Sequence, residues 1–160
     1  MKYTLLLLAA FTLALASCEV GDMEVKKLNR GDGTWSIESI HYENYDSLGQ
    51  HVVSDSTQSN VGEFVFFKTH TLDALFNYYL VIANMNHPDG SVTAHPGYIF
   101  YDGNRVSMKE DGDVNHNFPD QFEGVWTVTE NKRRHQEWTI YSTNSSGNLV
   151  QKITLVLKRK

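Results

Sequence analysis

Residues 98–109, YIFYDGNRVSMK, contain the strongest fold signal of the chain. Two segments rich in aromatic and β-branched residues, 98–101 and 105–109, flank the sequence DGN at 102–104. An Asp-Gly pair tolerates the positive φ angles of a tight turn, and this arrangement is typical of a β-hairpin. We therefore expect two antiparallel strands joined by a short turn.

A similar pattern continues toward the C-terminus. Residues 122–129 and 135–142 predict strands on either side of the polar turn 131–134. After a second turn at 144–148, the segment 149–158 again alternates apolar and polar residues. Three antiparallel strands in a row would form a meander.

Three further segments of strand-like composition precede the first hairpin, and they are 35–42, 63–70 and 75–83. In the first of them the apolar positions change face between Glu38 and Ser39, which predicts a β-bulge there. The stretches 44–60 and 86–97 are rich in turn residues and predict long loops.

These segments predict an all-β domain. No stretch holds a 3.6-residue period for long, whereas about seven or eight short strands follow one another with short turns between them. A single antiparallel up-and-down β-barrel of about eight strands is the expected architecture, because closing a twisted sheet removes its exposed edges.

The N-terminus predicts export. Residues 1–17, MKYTLLLLAAFTLALAS, contain one charge, Lys2, and then an apolar run from 5 to 16 that only Thr12 interrupts. A membrane-spanning helix needs about 20 apolar residues, so this run is too short to span and is typical of a signal peptide.

The tetrapeptide LASC at 15–18 resembles the lipobox of bacterial lipoproteins. The resemblance implies that the Cys18 thiol is joined to a diacylglycerol and that the chain is cut between Ser17 and Cys18. Stable anchoring through several acyl chains would then follow. The alternative is an ordinary secretory leader that leaves Cys18 as a free thiol.

Three parts are expected along the chain. Residues 1–17 are a signal peptide that is removed, 18–32 are the lipidated N-terminus and a flexible tether, and 33–160 are the barrel domain. The expected location is the cell envelope at the outer membrane, on its periplasmic or surface face.

Two short motifs resemble those of the lipocalin-like small lipoproteins of Bacteroidetes: GTW at 33–35 and GVW at 124–126. The resemblance spans residues 33–158 and implies an up-and-down barrel in which Trp35 plugs one end. Lipocalins also pack a C-terminal helix on the barrel, whereas this sequence stops at Lys160 directly after a predicted strand. An open half-barrel or sandwich is therefore the alternative.

Charge and cysteine content restrict partners and cross-links. The chain has 14 Lys and Arg against 19 Asp and Glu, a formal net charge of −5. This balance disfavours nucleic acid and anionic lipid surfaces as partners. Cys18 is the single cysteine, so no intramolecular disulfide can form.

No catalytic, cofactor or metal site is expected. The seven histidines are scattered, with no H-E-x-x-H motif, and G-x-S-x-G is absent. Asp111, Asp113 and Asn115 place oxygen atoms at alternate positions, as a calcium loop does, but His116 and Phe122 stand where an EF-hand needs Gly and Glu. A solvated turn is the favoured interpretation.

Ser47 and Ser56 lie in the sequences DSL and DST, which fit the loose pattern of O-glycosylation on exported Bacteroidetes proteins. Three-residue motifs recur by chance, so glycosylated and unmodified serines stay open as alternatives.

Two functions fit these features. Aromatic residues could line a ligand cavity or fill the barrel, and they are Phe76, Tyr78, Tyr79, Tyr98, Phe100, Trp126 and Trp138. The first hypothesis is a non-enzymatic, lipid-anchored barrel that binds a small apolar or amphipathic ligand. The second is an envelope interaction module that recognises a protein or glycan through loops 44–60 and 86–97.

Overall fold

The computed structural model describes residues 27–72, 77–110 and 118–160. These residues form eight strands and one short 3-10 helix. The strands are β1 (Thr34–Tyr45), β2 (Val52–Leu72), β3 (Asn77–Asn86), β4 (Val92–Asp102), β5 (Arg105–Glu110), β6 (Gly124–Asn131), β7 (His135–Thr143) and β8 (Leu149–Arg159), and the 3-10 helix is Asp120–Phe122. Within this part of the chain, no helix has the length and apolarity that crossing a membrane requires.

Each strand pairs with the next one antiparallel, and β8 pairs with β1 to close a barrel. The closing ladder runs from Trp35 opposite Arg159 to Asn44 opposite Gln151. The expected eight-stranded up-and-down barrel is confirmed, and the open half-barrel or sandwich is wrong. Closure satisfies the backbone groups that an open sheet would leave unpaired.

The hairpin at 98–109 is confirmed, with Asp102 opposite Arg105 and Gly103 at a φ of 59°. The bulge in β1 is confirmed as well. Glu38 is the extra residue, since Ile37 pairs with Leu157 and Ser39 with Val156.

The barrel interior is filled with large apolar side chains. Trp35, Trp126, Trp138 and Phe64 have no exposed surface. Every tryptophan Nε1 donates a hydrogen bond, to Leu28 O at 2.9 Å, Phe122 O at 2.8 Å and Gln136 Oε1 at 2.8 Å respectively. The buried indole nitrogens are therefore satisfied.

The predicted loops at 44–60 and 86–97 are wrong. Only the turns 46–51 and 87–91 separate strands that run through the rest of both stretches. Polar residues dominate these strand ends, so hydrophobic alternation fails to mark them. Pro96 also lies within β4, opposite Ile82 on β3, although proline is uncommon inside a sheet.

Burial extends to residues before Gly33, the expected start of the folded domain. Leu28 is fully buried in the core and Asn29 is 6% exposed. Leu28 O accepts the Trp35 indole hydrogen bond described above, so the last residues of the predicted tether 18–32 pack on the barrel.

Because strand directions alternate, the turns fall at two opposite ends. The end here named the closed end contains residues 28–33 and the turns 103–104 and 132–134. The opposite end, the mouth, contains the turns 46–51, 87–91 and 144–148. Trp35 is buried at the closed end, where the resemblance placed it.

Candidate binding site at the barrel mouth

One side of the mouth rises above the other. The β1–β2 ladder continues to Tyr45 opposite Val52, and the β1–β8 ladder to Asn44 opposite Gln151. By contrast, β3 pairs with β2 no further toward the mouth than Gly62. We name this projecting sheet the raised wall, and it consists of residues 140–143, 149–154, 41–45 and 52–59.

The inner face of the raised wall continues the inner face of the barrel. Tyr42 lies opposite Ile153, and Ile153 lies opposite Ile140 on β7. All three side chains are half-buried and pack against the core. This row gives the mouth a partly accessible apolar surface.

A polar row lies one step closer to the rim. Asn44 pairs with Ser54 on β2 and with Gln151 on β8. Asn44 Nδ2 donates to Ser54 Oγ at 3.0 Å, and Gln151 Nε2 donates to Asn44 Oδ1 at 3.0 Å. The raised wall therefore changes from apolar to polar along its inner face.

Residues 118–122 form a floor beneath the mouth. Phe122 is fully buried and packs edge-on against Phe64 with ring centroids 4.9 Å apart. Phe118 is 4% exposed and lies over Gly97, where a Cβ atom would come within 2.5 Å of the ring. The floor separates the mouth from the filled interior.

Tyr42 joins the raised wall to this floor. Its hydroxyl donates to Gln121 Oε1 at 3.2 Å. Burial raises the pKa of the Tyr42 hydroxyl above its usual value of 10.0. The group therefore stays protonated at neutral pH and acts as the donor in this contact.

The opposite side of the mouth carries a short polar chain. Thr93 and His95 share the inner face of β4 with Gly97, because they pair with Met85 and the fully buried Ala83. Thr93 Oγ1 lies 2.7 Å from His87 Nε2 and 2.9 Å from His95 Nε2. His95 Nδ1 is buried and has no hydrogen-bond partner. An unpartnered buried polar atom costs about 1–3 kcal/mol, so it calls for a ligand or water.

The described members of the predicted aromatic set fill the interior or lie on the outer face. Trp126 and Trp138 fill the interior, whereas Tyr78 and Phe100 share the outer face, with ring centroids 5.7 Å apart. Lys109 Nζ lies 4.0 Å from the centre of the Tyr78 ring on that outer face. Phe76 lies outside the described residues. A ligand at the mouth would lie above this floor.

Among the described residues, three side chains that could bind a metal ion lie together on the β6–β7 hairpin. The scattered positions of the histidines in the sequence do not predict this cluster. His135 Nε2 lies 3.1 Å from Glu130 Oε2 and 3.3 Å from Glu137 Oε1 on the β6–β7 hairpin. Lys132 also pairs with Glu130 and holds the pKa of that carboxyl below its usual range. The cluster is accounted for as a surface ion-pair network.

Several sequence-predicted site residues fall outside the described part of the chain. These are Cys18, Asp111, Asp113 and Asn115. Ser47 and Ser56 are described, and both are exposed. Ser56 lies on β2 opposite Tyr42, on the same face of the raised wall. Their glycosylation stays a prediction.

The sequence matches no protein-family model and no curated protein. Among solved structures, lobster apocrustacyanin A1 is similar with a TM-score of 0.48 and 10% sequence identity, over 88% of this chain and 71% of the lobster chain. The barrel described above rests on the strand order and register of this chain itself.

Sequence reasoning missed the mouth residues for identifiable reasons. Tyr42 ends the predicted strand segment 35–42, and its alternation with Ile40 is the sequence signal that places it on the inner face. His95 alternates with Gly97 and Ile99, as residues on one face of a strand do. However, Pro96 lies between them, and proline is uncommon inside a strand. The contact of Gln121 with Tyr42 leaves no local sequence signal.

Proposed function

We propose that this chain is a lipid-anchored, non-enzymatic protein of the cell envelope that binds a small amphipathic ligand at the barrel mouth. The observation that supports binding most is the change along one wall from half-buried Tyr42 and Ile153 to the polar pair Asn44 and Gln151. On the opposite side of the mouth, His87, Thr93 and His95 add polar side chains that are hydrogen-bonded to one another.

The geometry restricts the ligand. Because Phe122 and Phe118 close the interior, the ligand is small and lies on the floor. Its apolar part would contact Tyr42 and Ile153, and its polar group would lie beside the polar pair Asn44 and Gln151. A molecule with one apolar body and one hydroxyl, carboxyl or amide group has this chemistry.

The alternative of an interaction module loses its basis. That hypothesis required long loops at 44–60 and 86–97, and both stretches are strands with short turns. Small-ligand binding is therefore the function we favour.

The anchor rests on the lipobox-like sequence before Cys18, which is independent of the barrel. We expect a bacterial cell to incorporate labelled fatty acid into the full chain and not into the Cys18→Ser variant. Equal labelling of both chains would contradict the anchor, and it would leave ligand binding unaffected.

Native mass spectrometry of the mature chain, purified from its own host, tests the binding function. We expect a defined small-molecule adduct that Ile153→Asn removes. Val156→Asn is the matched control, because Val156 is also a half-buried branched residue of β8 but lies on its outer face, between the buried Leu155 and Leu157. A chain without adduct, or an adduct kept by Ile153→Asn, would contradict the proposal.

A further inference from the structure

A recess with a volume of about 380 Å³ lies at the closed end of the barrel, opposite the mouth. Its lining residues come from three separate parts of the chain, and they are Arg30, Gly31, Arg133, Arg134, Arg159 and Lys160. Five of the six carry a positive charge and none has an acidic side chain. The net charge of −5 is therefore distributed unevenly.

Backbone contacts hold these three parts in place. Arg159 N donates to Arg134 O at 3.0 Å, which fixes the β6–β7 turn against β8. The Arg159 guanidinium donates to Arg30 O, which fixes residues 28–33 against the same strand. Gly31 has a φ of 72°, and a Cβ there would come within 3.0 Å of Arg159 Nη2. The recess is thus built into the fold.

Most of the positive side chains of the recess have no acidic partner among the described residues. Lys160 pairs with Glu63, and Arg159 lies near Asp32. Within the described residues, Arg30, Arg133 and Arg134 form no ion pair. Arg133 and Arg134 are both exposed.

A neighbouring groove provides a contrast. It has a volume of about 560 Å³ on the outer face of β8, β1, β2 and β3, and it contains Glu38 and Glu63. Glu38 Oε1 lies 3.1 Å from Lys158 Nζ, and Glu63 pairs with Lys160. Lysines and carboxylates neutralise one another there, so the excess of positive charge belongs to the recess.

Guanidinium groups present forked donors that match phosphate oxygens. We propose that this recess binds the phosphate group of an anionic lipid headgroup. The choice of a lipid rests on the proposed anchor. Cys18 precedes Leu28 by ten positions, and a chain of that length spans at most about 35 Å. Leu28 packs at the closed end, so a lipid on Cys18 keeps this end near the bilayer.

The test uses residues 19–160, which contain the whole described barrel and its core but no lipidation site. Flotation with vesicles of phosphatidylglycerol and phosphatidylcholine is compared with vesicles of phosphatidylcholine alone. We expect binding only to the anionic vesicles. Binding should weaken in about 0.5 M sodium chloride, where the screening length is roughly 4 Å.

Two double variants make the test specific. Arg133→Ala with Arg134→Ala should lower affinity for anionic vesicles about thirtyfold, since each cation near an anionic surface contributes a factor of about five. Lys109→Ala with Lys152→Ala removes the same charge away from the recess and should change affinity less than about twofold. Circular dichroism checks that both variants fold.

Equal losses in both double variants, or equal binding to neutral vesicles, would overturn the proposal. Isothermal titration with inorganic phosphate separates the two phosphate sources, and binding of free phosphate without vesicle binding would overturn the headgroup assignment. Because the tested chain carries no lipid, these outcomes are independent of fatty-acid labelling at Cys18 and of adducts at the mouth.

Discussion

The Tyr42 hydroxyl donates a hydrogen bond to Gln121 Oε1 at 3.2 Å, and it joins β1 to a residue 79 positions later in the chain. Gln121 belongs to the 3-10 helix that closes the barrel interior from the mouth side. This contact therefore links the raised wall, which we propose as the ligand surface, to the floor beneath it.

The variant Tyr42→Phe should destabilise the barrel by about 1 kcal/mol, because the Gln121 acceptor loses its donor while the aromatic ring is kept. Urea unfolding of the variant and the wild type measures this difference. Tyr45→Phe is the control, since it removes a tyrosine hydroxyl from the same strand.

A double-mutant cycle with Gln121→Ala distinguishes the contact from a local packing effect. The two substitutions should be less than additive, because either one breaks the same hydrogen bond. Additive losses of stability would show that the two residues are not coupled.

Gly97 should not tolerate a methyl group. Its φ is not positive, so alanine can adopt the backbone conformation, but the added Cβ would lie 2.5 Å from the Phe118 ring. We expect Gly97→Ala to cost about 1–3 kcal/mol through overpacking. Thermal unfolding is the measurement.

Reducing the size of Phe118 provides the control for that prediction. In a Phe118→Leu background, Gly97→Ala should cost clearly less than in the wild type, because the ring edge is gone. An unchanged cost in both backgrounds would contradict the placement of the floor over Gly97.

Residues before Gly33 should contribute to stability. Leu28 is fully buried, so Leu28→Ala should cost about 2–5 kcal/mol in urea unfolding. A chain that begins at Gly33 should be destabilised at least as much as this variant, relative to one that begins at Lys27. Equal stability of the two shortened chains would contradict this prediction and support the expected boundary at Gly33.

Acid should weaken the barrel partly through Glu63. The hydrogen bond with Lys160 holds the pKa of the Glu63 carboxyl below its usual value of 4.5. A carboxyl with a lowered folded-state pKa stabilises the protein above its unfolded pKa, and this contribution is lost as the pH falls through the folded value. The loss should therefore occur below about pH 4.5.

Comparison of Glu63→Gln with the wild type measures that contribution. The variant should be less stable at pH 7 by on the order of 0.5 kcal/mol, since the pair is partly exposed, and the difference should vanish at low pH. In a Lys160→Met background the same substitution should have a smaller effect at pH 7. If the stability difference between Glu63→Gln and the wild type grew as the pH fell, the expected direction of the pH dependence would be contradicted.

The fold could be predicted where local chemistry decides it. The DGN turn at 102–104, the bulge at Glu38 and the alternation around Trp138 each depend on residues close in sequence. Barrel closure depends instead on the pairing of Trp35 with Arg159 across the whole chain, which leaves no periodic signal. The local pattern therefore predicts the strands but not the ladder that closes them into a barrel.

The mouth and the closed-end recess were harder to predict. Tyr42 and Gln121 meet only because the 3-10 helix folds back into the barrel. Likewise, Arg30 and Arg134 come together only because β8 contacts two distant segments. The net charge of the whole sequence is negative, so it does not indicate this cluster of positive side chains.

Titration with anilinonaphthalene sulfonate, an amphipathic probe that fluoresces in apolar surroundings, tests the central claim most directly. We expect saturable binding to residues 19–160, weakened about tenfold by Ile153→Asn through lost apolar contact. Val156→Asn on the outer face should bind as the wild type does. Absent saturable binding, or equal affinities for all three chains, would contradict a binding site at the mouth.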